Sequence, residues 1–187
     1  FTDNSVLKSI SLGCDELETI NYMGGNCPML TTLRIPAGVA SITSSFNSCG
    51  ALEEIFVKAL VPPVLTDSFD SVVAPTIYVP ADSVNVYKRA EGWKEFAIVG
   101  YDFENGEIVE VQPNNEIWYT SSDGNIVEPY NTNAFGATII SNEYNNGLGV
   151  ITFDGDVTSI GEHAFYDCTS LTSVNIPDSV TTIGYCA

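Results

Sequence analysis

The chain has 187 residues, 44% of them hydrophobic, which is ample for a core and fits one or two domains. Six Lys and Arg stand against 24 Asp and Glu, for a net charge of −18, and no basic residue follows Lys94; such a surface repels nucleic acid and anionic lipid, and reads as the solubility of an exported protein. No run of 18 apolar residues is present to span a membrane, and there is no signal peptide, which an excised or mature chain would have lost.

In chain order, the first recurring unit places Leu7, Ile10 and Leu12 ahead of Leu17 and Ile20. The second runs Leu30, Leu33, Ile35, Val39, Ile42, in steps of 3, 2, 4 and 3, and Leu52, Ile55, Val57, Val61, Val64 repeats the same steps. Two further copies follow much later, at Leu148, Ile151, Phe153, Val157, Ile160 and at Leu171, Val174, Ile176, Val180, Ile183. The unit is 22 or 23 residues long. The end of the first segment alternates like a short half-buried strand, and Pro36 or Pro177 then stops pairing because proline donates no amide hydrogen. A unit this short cannot bury its own apolar face, so neighbours must stack into a solenoid with one parallel sheet, its strands about 4.8 Å apart.

Five cysteines is an odd number, and Cys27, Cys49 and Cys168 share one repeat position, three residues before the Leu. That placement predicts small, buried, reduced side chains stacked along the coil rather than disulfides. Cys14 lies outside the phase, and Cys186 aligns with His163; the state of these two thiols stays open.

Residues 1–99 read as repeats ending in a capping helix over about 81–97, announced by Pro80, Asp82 and Ser83, carrying Val84, Tyr87, Trp93 and Phe96, and stopped by Gly100. Such a helix would cover an open sheet edge. Residues 100–112 read as an acidic linker with at most one strand. Residues 113–147, with turn signals at Asp123-Gly124 and Asn146-Gly147, read as a β-rich cap of the N-terminal type, and 148–187 as repeats again.

The end of the chain is in phase with its start. Counted from Leu171 through Ala187 to Phe1, Leu7 falls 23 residues on, one repeat, so Phe1 stands where the Phe after IGYCA is due. Three arrangements account for this: one period of a tandem array, a circular permutation, or a residue order that differs from that of the array. Each leaves an unfinished repeat at both ends, and predicts that Phe1 and Ala187 meet within one chain or, by self-association or a domain swap, across two. About six coils span roughly 25–30 Å, and a 13-residue linker reaches at most roughly 43–47 Å, so closure within one chain is sterically open.

The run IGEHAFYDCTSLTSVNIPDSVTTIG resembles the leucine-rich repeat of the BspA-like surface proteins of Bacteroides-type and treponemal bacteria. The resemblance is strong over 148–187 and 1–64 and weakens at 69–80, where the spacing has lost a residue. It implies a right-handed leucine-rich repeat solenoid, mostly β, with a β-rich N-terminal-type cap and a short helical C-terminal-type cap. It further implies a secreted or cell-surface protein that works by binding, adhesion to host matrix or other cells being the usual proposal. No catalytic residues come with the resemblance.

Chemistry-bearing constellations are few. His163 is the single histidine, in a repeat turn five residues before Cys168, too little for a nucleophile pair or a zinc site. Asp154-Gly155-Asp156 and Asp123-Gly124-Asn125 resemble fragments of calcium loops but lack EF-hand spacing and read as plain turns. No enzyme, cofactor or metal is expected. The outward strand column, in repeat order Thr152, Asn175, Ser11, Arg34, Phe56 and Tyr78, changes from small polar residues to Arg and aromatics, the types most often found as binding anchors. Arg34, Phe56 and Tyr78 are therefore the candidate binding residues; alternatively Phe56 packs under the loop KALVPPVLTDSF and Tyr78 touches the capping helix. Three functions stay open: a protein- or cell-binding module, a structural stalk, and an accessory glycan-binding domain.

Overall fold

The structure, a computed structural model, describes residues 1–187. The chain divides into two compact units, Phe1–Val111 and Gln112–Ala187.

The first unit is built from β1 (Ser9–Ser11), β2 (Thr19–Asn21), β3 (Thr32–Ile35), β4 (Ser41–Thr43), β5 (Glu54–Val57), β6 (Val64–Thr66), β7 (Thr76–Val79), a 3-10 turn at Ala81–Ser83, α1 (Val84–Tyr87), β8 (Ala97–Asp102) and β9 (Glu107–Val109). The strands form a sheet of order β1-β3-β5-β7-β8-β9, parallel except at the last pair, and a second parallel ladder β2-β4-β6. Register follows the repeat: Ile10 opposes Leu33, Leu33 opposes Ile55, and Ile55 opposes Ile77. Each of these points inward and is buried, as are Leu30, Ile35, Val39, Ile42, Leu52 and Val57. The solenoid expected from the spacing, of the leucine-rich repeat type that the resemblance implies, is the fold observed, with a second ladder where the shorter apolar pair returns.

An aromatic column lies inside the coil. Phe46 stacks on Phe69 at 5.4 Å, and Phe69 meets Trp93 at 6.0 Å. These occupy the repeat position that begins with Phe1 and continues through Met23. Phe46 and Phe69 reach it at φ of 59° and 61°, a left-handed backbone unusual for bulky residues, which neighbouring coils hold in place: the Phe46 amide donates to Met23 O and the Phe69 amide to Ser45 O.

Several sequence expectations are corrected. In the third full repeat Val61 and Val64 are exposed, and it is Leu65 that opposes Ile42, because Pro62-Pro63 carries the chain outward and shifts the pair by one. The capping helix is four residues, not about seventeen. Beyond Tyr87 the chain runs in turns through Gly92, at φ 80°, so that Trp93 can swing wholly inside and donate Nε1–H to Pro63 O at 2.7 Å. Neither Asp82 nor Ser83 caps the helix with its side chain. Residues 97–109, expected as helix end and linker, form the β8–β9 hairpin: the Asp102 carboxylate accepts from the Glu104 and Asn105 amides and the Asn105 side chain, which closes the turn and holds that carboxyl below its ordinary range.

The second unit contains β10 (Glu116–Ser121), β11 (Ile139–Asn145), β12 (Leu148–Phe153), β13 (Ser159–Ile160), β14 (Leu171–Asn175) and β15 (Thr182–Ile183). Asn146 and Gly147, both at positive φ, make the two-residue turn between β11 and β12 that the sequence announces. The repeat spacing implies that β12 and β14 lie side by side in parallel. Instead β10 enters between them, antiparallel to both, and only the β13–β15 pair keeps the parallel 23-residue register. Alternation explains the entry: Ile117 and Tyr119 of β10 are buried, and the Tyr119 ring lies where a side-chain carbon on Gly149 would come within 2.1 Å. Leu148, expected inside, is 39% exposed at the hairpin end of β12.

The cysteines are all free. Cys27 and Cys49 are fully buried and donate Sγ–H to Phe1 O and Gly24 O of the preceding coil, each at 3.0 Å; Cys168 is half-buried and donates to Glu128 O at 3.3 Å. Burial pushes the Cys49 and Cys168 thiols up.

Two measurements check this packing. Trp93→Ala should lower the free energy of unfolding by about 3–5 kcal/mol, read by circular dichroism in urea; a loss under about 1 kcal/mol would mean that Trp93 does not seal the coil. With a thiol-reactive dye on native protein, Cys14 and Cys186 should react fast, and Cys27 and Cys49 only on unfolding. Immediate reaction of the buried pair, or a Cys27–Cys49 disulfide, would contradict the packing.

Candidate functional site

The outer face of the first unit's parallel sheet shows two columns. Ser9, Thr32, Glu54, Thr76 and Ala97 are in register along one, and Ser11, Arg34, Phe56, Tyr78 and Val99 along the other. Arg34, Phe56 and Tyr78 therefore stand on adjacent strands, in the order their repeat positions specify. Thr152 and Asn175 lie in the second unit, opposite Glu116 and Trp118 of β10 rather than beside each other.

The three side chains form a continuous stack. The Arg34 guanidinium carbon sits 3.9 Å above the Phe56 ring centroid, a cation–π contact, and Phe56 lies 4.6 Å from Tyr78 at an interplanar angle of 13°. Tyr101 of β8 meets both rings edge-on, at 5.1 and 5.6 Å, and Phe103 follows it at 5.1 Å. Neither the loop at 58–69 nor the capping helix supplies this ring contact; the β8–β9 hairpin does. Phe56 is thereby closed over to 6% exposure, while Arg34 stays exposed and Tyr78 half-buried. Burial, with the Glu54 carboxylate and Tyr101 adding, holds the Tyr78 phenol above its ordinary range, so it is neutral at physiological pH.

Beside the stack lies a cleft of about 300 Å³ lined by Arg34, Lys58, Phe56, Tyr101, Phe103 and Asp15, among others. Lys58 Nζ is 6.0 Å from the Phe103 ring centroid. No carboxylate lies within ion-pair distance of Arg34 or Lys58, and Asp15 spends one oxygen on the Ala37 amide. Two of the chain's six basic side chains thus face one cleft unpaired, on a molecule with a net charge of −18. Sequence reading found Arg34, Phe56 and Tyr78 because strand register follows the repeat. It missed Tyr101, Phe103 and Lys58, which come from the hairpin and from just past a strand, outside the repeat column.

In the second unit, His163 at φ 58° is ringed by Tyr166 at 5.0 Å, Tyr185 at 6.2 Å and Tyr130 at 6.4 Å, with Glu162 Oε1 3.6 Å from its Nδ1. The tyrosines are exposed and belong to different coils, so no local motif marks them. No group of three or more His, Cys, Asp or Glu side chains is gathered for a metal ion, and no helix is long and apolar enough to cross a membrane.

Stacked coils in 22- and 23-residue register, with inward Leu and Ile side chains and parallel strands, define a leucine-rich repeat solenoid. The chain matches the family model for the BspA type leucine rich repeat region in six copies, over residues 1–90 and 137–187, and belongs to that family. No curated protein and no solved structure matches it. Repeat solenoids of this kind are generally binding scaffolds, and the family is often surface-associated.

The closed-over stack makes a stability prediction. Phe56→Ala should cost about 3 kcal/mol, because it removes the ring on which Arg34, Tyr78 and Tyr101 all rest, whereas Tyr78→Ser at a half-buried position should cost about 1–2 kcal/mol. Equal costs in chemical denaturation would show that Phe56 is not the centre of the stack.

Proposed function

We propose that the chain is a non-enzymatic binding module of a secreted or cell-surface protein, and that the outer face of its parallel sheet recognises a protein on a matrix or another cell. The observation that carries this reading is the in-register run of Arg34, Phe56 and Tyr78, joined by Tyr101, on one face. Arg and tyrosine are the side chains that most often dominate binding energy, and here they are pre-stacked, so little ordering entropy remains to be lost on association. The strongly acidic surface and the family's frequent surface association support the setting. A stalk would need only small polar residues outward, as at Ser9, Ser11 and Thr32; the change of character at Arg34 is what separates a recognition face from a spacer.

The test is a binding screen of the full chain against immobilised matrix proteins, glycans and bacterial surfaces, repeated with Tyr78→Ser and with Thr76→Arg, which plants a bulky charge on the same face. A protein ligand whose binding falls by about tenfold or more in both variants, each still folded, is expected. Binding that survives both substitutions would move the site off the sheet, capture by glycans alone would make it an accessory glycan-binding domain, and no ligand at all would favour the spacer.

A further inference from the structure

We propose that the cleft between the Arg34–Phe56 stack and the β8–β9 hairpin takes a single carboxylate of a peptide segment, with Arg34 and Lys58 as its cationic partners and Tyr101 and Phe103 as the apolar wall for the residue beside it. The proposal rests on the reading of the sheet face as a recognition surface and names the chemistry of the group recognised there.

Charge carries the argument. Arg34 and Lys58 share the cleft lining with one carboxylate, Asp15, part of whose hydrogen-bonding capacity is already taken by the Ala37 amide. The cleft wall is therefore locally cationic, while the chain as a whole carries −18. A polyanion, whether nucleic acid or an anionic lipid surface, extends past the cleft and meets the acidic remainder of the surface. A single carboxylate does not: at physiological salt, charges more than about 8 Å away are largely screened, so the cleft lining acts on it most, two cations against the one Asp15 carboxylate, while Asp82, Asp102 and Glu104 lie in the adjoining cleft that Lys58 also lines. The Arg34 guanidinium carbon rests 3.9 Å over the Phe56 ring centroid, a contact that uses the ring face and not the N–H donors, which stay available for a carboxylate and its bidentate pairing. The cleft is partly walled by Tyr101 and Phe103, so the bonds form in surroundings drier than open solvent and gain strength from that. Its volume of about 300 Å³ is at the small end of ligand sites, enough for one or two side chains rather than an oligosaccharide.

The test uses the full chain and fluorescein-labelled, C-terminally amidated peptides of sequence Gly-Ser-Leu-Xaa-Leu-Ser-Gly with Glu, Gln or Lys at Xaa. A fourth peptide, Gly-Ser-Gly-Leu-Leu, ends in a free carboxylate. Anisotropy titrations should show saturation below about 1 mM with the Glu peptide or with the free C-terminus, and the arm that binds identifies whether the carboxylate comes from a side chain or a chain end. Arg34→Gln and Lys58→Gln should each weaken that binding by about tenfold or more, and Arg34→Lys by less than Arg34→Gln. Lys58→Gln leaves the Phe56 stack untouched, so it stays informative even if Arg34→Gln proves unstable in a melting control. Absence of saturation with every peptide, equal binding of the Gln and Glu peptides, variants that bind like the parent, or binding only of a glucuronate oligosaccharide would each overturn the proposal. A protein partner that is lost in Tyr78→Ser but retained in both Arg34→Gln and Lys58→Gln would overturn it while leaving the sheet face as the recognition surface.

Discussion

A coil of 22 or 23 residues cannot satisfy its own backbone, and everything else in the first unit follows from the hydrogen bonds each coil makes to its neighbour. The Leu12 amide donates to Arg34 O, Ala40 to Glu18 O, Phe46 to Met23 O and Lys58 to Ile35 O, all at 2.8–3.0 Å. Where the backbone turns too sharply for a ladder, repeat side chains take over. Ser45 Oγ accepts from the Met23 amide and Ser68 Oγ from the Ser45 amide, one repeat apart, and Cys27 and Cys49 send their thiol hydrogens to carbonyls of the preceding coil. Buried polar groups left without such partners would cost more than the bonds themselves are worth, which is why small Ser and Cys side chains recur inside an apolar coil.

That constraint sets the outer face as firmly as the core. Because a one-residue slip would turn every inward Leu and Ile outward, register is tightly held, and the residues between the inward positions must line up whatever they are. Arg34, Phe56 and Tyr78 are therefore neighbours as a consequence of the same spacing that buries Leu33, Ile55 and Ile77. Their energetic character is a separate matter. Parallel rings on adjacent strands stack, Arg34 covers one end, and the hairpin folds Tyr101 across, so the outward column is partly its own small core. On the proposed reading, recognition by the face rests on its polar edges, Arg34 and the Tyr78 hydroxyl, and on the unpaired Lys58, set against a stiff aromatic base.

The second unit shows where repeat arithmetic stops. Its β13 and β15 strands keep the parallel 23-residue pairing, yet β12 and β14, equally well spaced, are parted by β10. A repeat sets the alternation along each strand, which buries Ile151 and Phe153 but leaves Leu148, Ile176 and Ile183 exposed. It does not specify which strand satisfies the edge, and β10, with buried Ile117 and Tyr119 and a glycine at 149 to receive the tyrosine ring, satisfies both edges at once.

Spacing along the chain was enough to read the solenoid, the inward residues of the parallel sheet such as Leu33, Ile35, Ile55 and Val57, the Arg34–Phe56–Tyr78 column, the burial of Cys27 and Cys49, and the Asn146-Gly147 turn. Each of these depends on period or on local backbone preference, which a sequence displays directly. The same spacing set Val61, Val64, Leu148, Ile176 and Ile183 inside, and these are exposed. Tertiary structure alone decided that Trp93 leaves the helix after one turn to fill the core and that Pro62-Pro63 moves the inward position to Leu65. It also decided that Asp102 closes a hairpin in an apparently acidic linker, and that Tyr101, Phe103 and Lys58 join Arg34 around one cleft. These outcomes turn on which partner a side chain finds across the fold, and the energy of such a contact belongs to the pair, so neither residue displays it in the sequence.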